Sequence, residues 1–126
     1  MFRKCDLPPT IPALYAQEES PDATVYAHLF LPGTKWHWFL TEWNGDDEAF
    51  GLVVGHEIEL GYFGLSELEQ LRSRLVLHMN NAPDEGGYRV REVETRVMLD
   101  PSFSPTLLSV IRARFEPSEA AREDRS

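Results

Sequence analysis

The chain is 126 residues long, 42% hydrophobic and 26% charged, the composition of an ordinary globular domain able to bury roughly 65% of its surface around one core. Wholesale disorder, a repeat array and a second full domain are excluded at this size. No window approaches the ~18 continuous apolar residues of a membrane span. The opening Met1-Phe2-Arg3-Lys4-Cys5-Asp6 has no signal-peptide core, and Cys5 is the single cysteine. A cytoplasmic protein with no membrane partner and no internal disulfide is expected.

Twelve basic residues against 21 acidic ones give a net charge of -9, and residues 1–65 hold three of the former and ten of the latter. A field of that sign repels phosphate backbones, so direct nucleic-acid binding is disfavoured. Two readings of the surplus stay open. It is a hydration coat, or it meets a basic protein surface, including that of a partner which normally holds nucleic acid.

Residues 1–10, with Pro8-Pro9, read as a flexible lead-in, and Ile11 to Ala16 as a short helical turn capped by Thr10. After the polar loop Glu18 to Asp22, the β-branched and apolar run Thr24 to Leu31 predicts a first strand, closed by Pro32-Gly33. Trp36 to Trp43 predicts a second strand, Asn44-Gly45 with Asp46, Asp47 and Glu48 an acidic hairpin loop, and Phe50 to Val54 a third strand. From Phe50 onward the pattern has period two. Phe50, Leu52, Val54, His56, Ile58, Leu60 and Tyr62 share one parity, while Gly51, Gly55 and Gly61 thin out the other. Alternation of this kind demands extended chain with one buried face, and the glycines call for a bulge, a bend or a close neighbour. A break near Gly55-His56 then gives two antiparallel strands.

Ser66 with Glu69 forms a capping box, and Leu65, Leu68, Leu71 and Leu75 lie at helical spacing, predicting a helix. Asn80 to Gly87 reads as a loop and Tyr88 to Leu99 as a strand. Ser104-Pro105 opens a last helix with Leu107, Leu108, Ile111 and Phe115 as its stripe. Residues 116–126 are expected to be a disordered charged tail. The whole predicts a single α+β domain over residues 11–115: an antiparallel β-sheet of about four to six strands with helices packed on one face. The strand-helix alternation, G-x-G-x-x-G turn and Walker lysine loop of nucleotide folds are missing from the sequence, and no cofactor is expected.

Glu57 and Glu59, two apart on a strand, project to one side, and Glu42 or Asp46 would complete a site for a divalent cation or for acid-base work. The alternative is a solvated strand face. His28, His37, His56 and His78 have no H-x-x-x-H spacing; His56, on the apolar parity, suits a buried, hydrogen-bonded position. Cys5 lies in the lead-in and no serine has the G-x-S-x-G elbow, so nucleophilic catalysis has no candidate. Trp36 and Trp38 fall on one parity and Phe39 and Trp43 on the other. One pair then belongs to the core and the second is left for the surface or for the terminal segments to cover.

The strings Leu14-Tyr15, Trp36-x-Trp38-Phe39-Leu40-Thr41-Glu42, Phe50-Gly51-Leu52-Val53-x-Gly55-x-Glu57-x-Glu59-Leu60-Gly61-Tyr62-Phe63 and Leu65-x-Glu67-Leu68-Glu69 resemble domain-of-unknown-function family 2958, and Asp100-x-x-Phe103-x-Pro105-x-x-Leu108-Ser109 resembles its closing motif. The likeness spans about residues 12–111, with Val76 to Glu92 as an added hairpin. It implies small bacterial proteins of plasmids, conjugative elements and phages, and carries over no activity and no catalytic residue.

The leading expectation is a non-catalytic interaction protein of a mobile genetic element, an anti-restriction or anti-CRISPR candidate. Glu42, Asp46, Asp47, Glu48, Glu57, Glu59, Trp36, Trp38 and Trp43 would present a DNA-mimic-like surface to a host nucleic-acid-binding defence protein. The alternative is a metal-dependent enzyme or small-ligand protein using Glu42, Glu57, Glu59 and His56. A third reading is a nucleic-acid reader through the tryptophans with Arg72, Arg74, Arg89, Arg91 and Arg96.

Overall fold

The computed structural model describes residues 1–80 and 88–116. Most of the predicted loop after Asn80 and the predicted tail from residue 117 onward therefore lie outside the described residues. In chain order the elements are β1 (Thr24–Val25), β2 (Ala27–Phe30), β3 (His37–Trp43), β4 (Glu48–Val54), β5 (Ile58–Gly64), α1 (Leu65–Gln70), β6 (Arg72–Asn80), β7 (Tyr88–Arg96), β8 (Met98–Leu99), β9 (Thr106–Leu107) and α2 (Leu108–Phe115). Five strands form one antiparallel sheet in the order β5-β4-β3-β2-β8, while β6 pairs with β7 and β1 with β9 as separate ribbons. This is the expected α+β architecture.

The period-two run from Phe50 forms β4 and β5, which pair from Glu48 opposite Gly64 to Val54 opposite Ile58 around a turn at residues 55–57. Its glycines have separate reasons. A Cβ on Gly51 would overlap the carbonyl oxygen of Phe39, and one on Gly55 would overlap the Trp36 ring, whereas Gly61 faces open space. His56 lies in the turn, exposed and edge-on to Trp36. It does not occupy the buried position expected from its parity, because the reversal of the chain takes it out of the strand.

A β-bulge in β3 decides what each face of the sheet carries. Leu40 stands opposite Gly51, but Glu42 stands opposite Phe50, so Thr41 is an extra residue. The slip moves everything after Thr41 to the other face. Glu42 turns to the face of Phe50, and Trp43 joins Trp36 and Trp38 against one core cluster instead of siding with Phe39.

Both faces are covered. On one, Trp38, Leu40 and Ala49 pack with Leu65 and Leu68 of α1 and with Phe2, Leu7 and Ile11. On the other, Phe39, Leu52 and Val54 pack with Val25 of β1 and Ile111 of α2. The two helices are therefore divided between the faces, not gathered on one. Helix α1 folds back directly from the edge strand β5, while the β1–β9 ribbon delivers α2 to the opposite side.

Residues 1–10 are an integral layer and not a loose lead-in: Phe2 and Leu7 are buried and the Phe2 N–H donates to Val97 O at 2.8 Å. Ile11 to Ala16 forms turns instead of a helix, with Tyr15 at φ 70°. Helix α1 stops at Gln70, and Leu71 is already extended. Leu71 and Leu75 thus leave the helical stripe, because β6 is drawn into continuous pairing with β7, from Arg72 opposite Arg96 to Asn80 opposite Tyr88, and a short helix propagates weakly against such a ladder.

Candidate functional site

Among the described residues Glu42 is the one acidic residue with a buried side chain, 4% of its surface being exposed. Its burial is made tolerable by the turn at Tyr15–Gln17. The Tyr15 N–H donates to Oε1 at 2.9 Å and the Gln17 N–H to Oε2 at 2.7 Å. Bonds from two amides replace the water that burial removes from the carboxyl group. The Gln17 side chain ties the same turn to the sheet, donating to Thr24 O and Thr41 O and accepting from the Thr24 N–H.

Above Glu42 lies a cavity of about 570 Å³. Its floor is Phe50 of β4 with Leu60 and Tyr62 of the edge strand β5. One wall is the loop from Tyr15 to Ala23, including Glu18 and Asp22, and the other is Leu108, Ser109 and Arg112 of α2. Pairing of β1 with β9 holds these walls together, and the Leu108 N–H donates to Ala23 O at 2.8 Å. Asp22 reaches α2 as well, accepting from the Ser109 N–H at 3.0 Å and the Ser109 hydroxyl at 2.6 Å. The leading amides of the helix are thus occupied.

The cavity mouth is aromatic and negative. Tyr15 is 60% exposed, Tyr62 50% and Leu60 44%. The ring centroids of Tyr15 and Tyr62 are 6.4 Å apart, and those of Phe50 and Tyr62 4.8 Å. The Tyr62 phenol is pushed up to about 12, first by hydrogen bonding with Tyr15, then by desolvation and by the charges of Tyr15, Glu42 and Glu48. Among the described residues the lining has Glu18, Asp22 and Glu42 against Arg112, whose Nε lies 3.6 Å from the Glu116 carboxylate.

Of the residues singled out in the sequence, Glu42 lines the cavity, and Glu48 lies outside the lining but its charge is felt at Tyr62. Trp38 is buried, and Trp36 and Trp43 are half-buried against the opposite core, Trp43 Nε1 donating to Asp46 O at 2.8 Å. Asp47 caps α1, accepting from the N–H of Ser66 at 2.7 Å and from its hydroxyl, so the cap comes from the β3–β4 loop and not from Ser66. Those bonds hold the Asp47 carboxyl below the usual carboxylate range. Lys4 Nζ lies 3.7 Å from Asp46 and 3.6 Å from Asp47.

Glu57 and Glu59 sit at the far end of β4, about 20 Å from that loop at ~3.3 Å per residue. The hydrogen bond and charge of Glu57 hold the Glu59 carboxyl above its ordinary range. Glu42, Glu57, Glu59 and His56 are consequently not brought together. Among the described residues no group of three or more His, Cys, Asp or Glu is placed to hold a metal ion.

A second polar chain lies under α2. His28 Nδ1 is 3.1 Å from Asp100 Oδ2, and His28 Nε2 is 2.9 Å from His37 Nδ1, with Phe39 stacked on His28 and Phe115 tilted against His37. Burial, and secondarily His28, hold the His37 imidazole below its ordinary value. Hydrogen bonds from Ser102 and then from His28 hold Asp100 below its own. This chain joins β2 and β3 to the segment after β8.

The sheet, the buried Glu42 and the cavity against β5 define an α+β protein with an aromatic, acid-rimmed cavity at a sheet edge. The family described as protein of unknown function (DUF2958) matches residues 12–84, and the chain belongs to it. That stretch includes Tyr15, Glu42, Phe50 and Tyr62, while the Asp100–Ser109 motif and the α2 wall lie beyond it. No curated protein and no solved structure matches the chain. Among the described residues no helix is long and apolar enough to cross a membrane.

Sequence reasoning missed Tyr15, Asp22, Phe50, Leu60, Tyr62 and Arg112 as cavity residues. The one local signal was an acid, Glu42, inside an otherwise apolar strand.

Proposed function

We propose that this chain is a non-catalytic interaction protein that receives a basic partner on the sheet face bearing the cavity. The observation that carries this reading is the composition of the cavity face: solvent-exposed Tyr15, Leu60 and Tyr62 beside Glu18, with Glu42 buried in the lining and the charge of Glu48 felt at Tyr62. Exposed aromatic groups next to carboxylates favour a cationic surface with an apolar component. The finer form of the reading makes the partner a host nucleic-acid-binding defence protein and the chain an accessory protein of a mobile element. The net charge of -9 supports that form, because a groove built for phosphates attracts carboxylates.

The test is binding of a fluorescent decalysine peptide followed by anisotropy. Saturable binding that weakens steeply with salt is expected. Glu18→Lys with Glu48→Lys is expected to weaken it on the order of tenfold, whereas Glu57→Lys with Glu59→Lys changes it less. Equal losses from both pairs would place the contact elsewhere. For the finer form, the chain should displace labelled DNA from a purified DNA-binding defence protein; unchanged DNA binding would exclude it.

A further inference from the structure

We propose that the cavity is a cage for one organic cation, the guanidinium or ammonium end of a partner's arginine or lysine side chain, held beside Tyr15, Phe50 and Tyr62. This rests on the reading that the partner is basic, and it names the group recognised and its seat.

Ring, charge and size agree on that chemistry. Tyr15 and Tyr62 stand 6.4 Å apart at 57°, and Phe50 lies 4.8 Å from Tyr62 at 55°. A cation within about 6 Å of such rings is attracted by their quadrupoles. The carboxylates of Glu18 and Glu42 add attraction of the same sign. An anion has the poorer seat. The natural anion donors at the start of α2 are taken, Leu108 N–H by Ala23 O and Ser109 N–H by Asp22. Arg112, the cation in the lining among the described residues, stands 3.6 Å from the Glu116 carboxylate, although its buried Nε makes no hydrogen bond. The volume of about 570 Å³ falls in the ~300–1,000 Å³ range of small-ligand sites. It is ample for a single side chain, whose methylene stem packs on Leu60 and Leu108.

The experiment titrates the isotope-labelled full chain with N-acetyl-arginine amide, N-acetyl-lysine amide and the neutral isostere N-acetyl-citrulline amide, following backbone amide shifts. Saturable shifts at Tyr15, Gln17, Phe50 and Tyr62 are expected with the two cations, and at least about tenfold weaker binding with citrulline. Tyr62→Ala should weaken the cations about three- to tenfold, while Tyr62→Phe, which keeps the ring, stays within about twofold. Equal binding of citrulline, shifts confined to residues 57–59, or an undiminished Tyr62→Ala variant overturns the cage. If decalysine binds but none of the single residues shifts the cavity, the cage falls and the basic-partner reading stands. If the single cations bind as expected but decalysine does not, the basic-partner reading falls alone.

Discussion

Glu42 shows how one buried charge organises its surroundings. Both carboxylate oxygens are bonded to amides 27 and 25 positions earlier in the chain, so the side chain fixes the loop that walls the cavity. Replacing Glu42 by Ala leaves the Tyr15 and Gln17 N–H groups without their acceptor, and a loss of roughly 3 kcal/mol in urea unfolding is expected, with a smaller loss for Glu42→Gln. An Ala variant as stable as the parent would mean that water replaces the carboxylate freely. The glycines offer a sharper contrast. Gly51→Ala is expected to cost about 3 kcal/mol because its Cβ meets the Phe39 carbonyl. Gly61→Ala, opposite it in the ladder and facing open space, should gain about 0.5 kcal/mol by restricting the unfolded chain. If both changes behave alike, the close approach at Gly51 is wrong. The need for room on the glycine parity was legible in the sequence. Which glycine met backbone, which met Trp36 and which met nothing depended on how the strands pack, for which no local residue gave a signal.

Among the elements, the helices are positioned by acids outside their own sequences. The Ser109 N–H in α2 is met by Asp22 and the Ser66 N–H in α1 by Asp47, each contact joining a loop to a helix that follows much later. Asp22→Ala should destabilise the chain by about 1 kcal/mol, as loss of a cap does. It should also broaden the amide signals of Ser109 and its neighbours. Stability and signals like the parent's would show that the contact carries no weight. Of the sequence signals for α1, Leu65 and Leu68 lie in the helix, but the capping box does not form, since Ser66 donates to Asp47, and the leucine stripe overruns the helix. Leu71 and Leu75 satisfy helical spacing, yet Leu71 is the extended cap residue and Leu75 pairs with Val93 in the β6–β7 ladder. Likewise β4 and β5 were readable from period two with their break near Gly55, because alternation over a dozen residues is a strong local constraint. The cavity was not readable, since its walls come from residues 15–23 and 108–112 and are joined by the β1–β9 ribbon and by bonds from the start of α2 to Asp22 and Ala23. The aromatic parity failed for a similar reason: the slip at Thr41 carries Trp43 across the sheet.

For the molecule as a whole, pH tests the polar chain beneath α2. His37 is held below its ordinary 6.5 by burial and by His28, so below that pH the unfolded chain binds the proton more readily than the folded one. Stability is therefore complete above about pH 6.5 and declines as the pH falls toward the lower folded value. Asp100 and Asp47 are held below their ordinary 3.8, which adds a second loss as the pH falls below about 3.8. Urea midpoints measured across this range should show both declines, and His37→Gln should flatten the first. A midpoint that stays constant from neutral pH down to about 4.5 would rule out the His37 contribution.

The net charge of -9 was legible from composition, but its distribution required the fold. Asp46 and Asp47 lie by Lys4, Glu57 and Glu59 lie at the far turn, and Glu18, Glu42 and Glu48 lie with the exposed tyrosines. That last grouping makes the cavity face the place where a basic partner should dock. The most direct measurement is the map of backbone amide shifts on adding decalysine to the labelled chain at low salt. Shifts centred on Tyr15 to Asp22, Glu42, Phe50 and Leu60 to Tyr62, lost at roughly 1 M salt where screening shortens to ~3 Å, are expected. Shifts confined to the turns around Asp46 and Glu57, or no shifts at all, would contradict docking on this face.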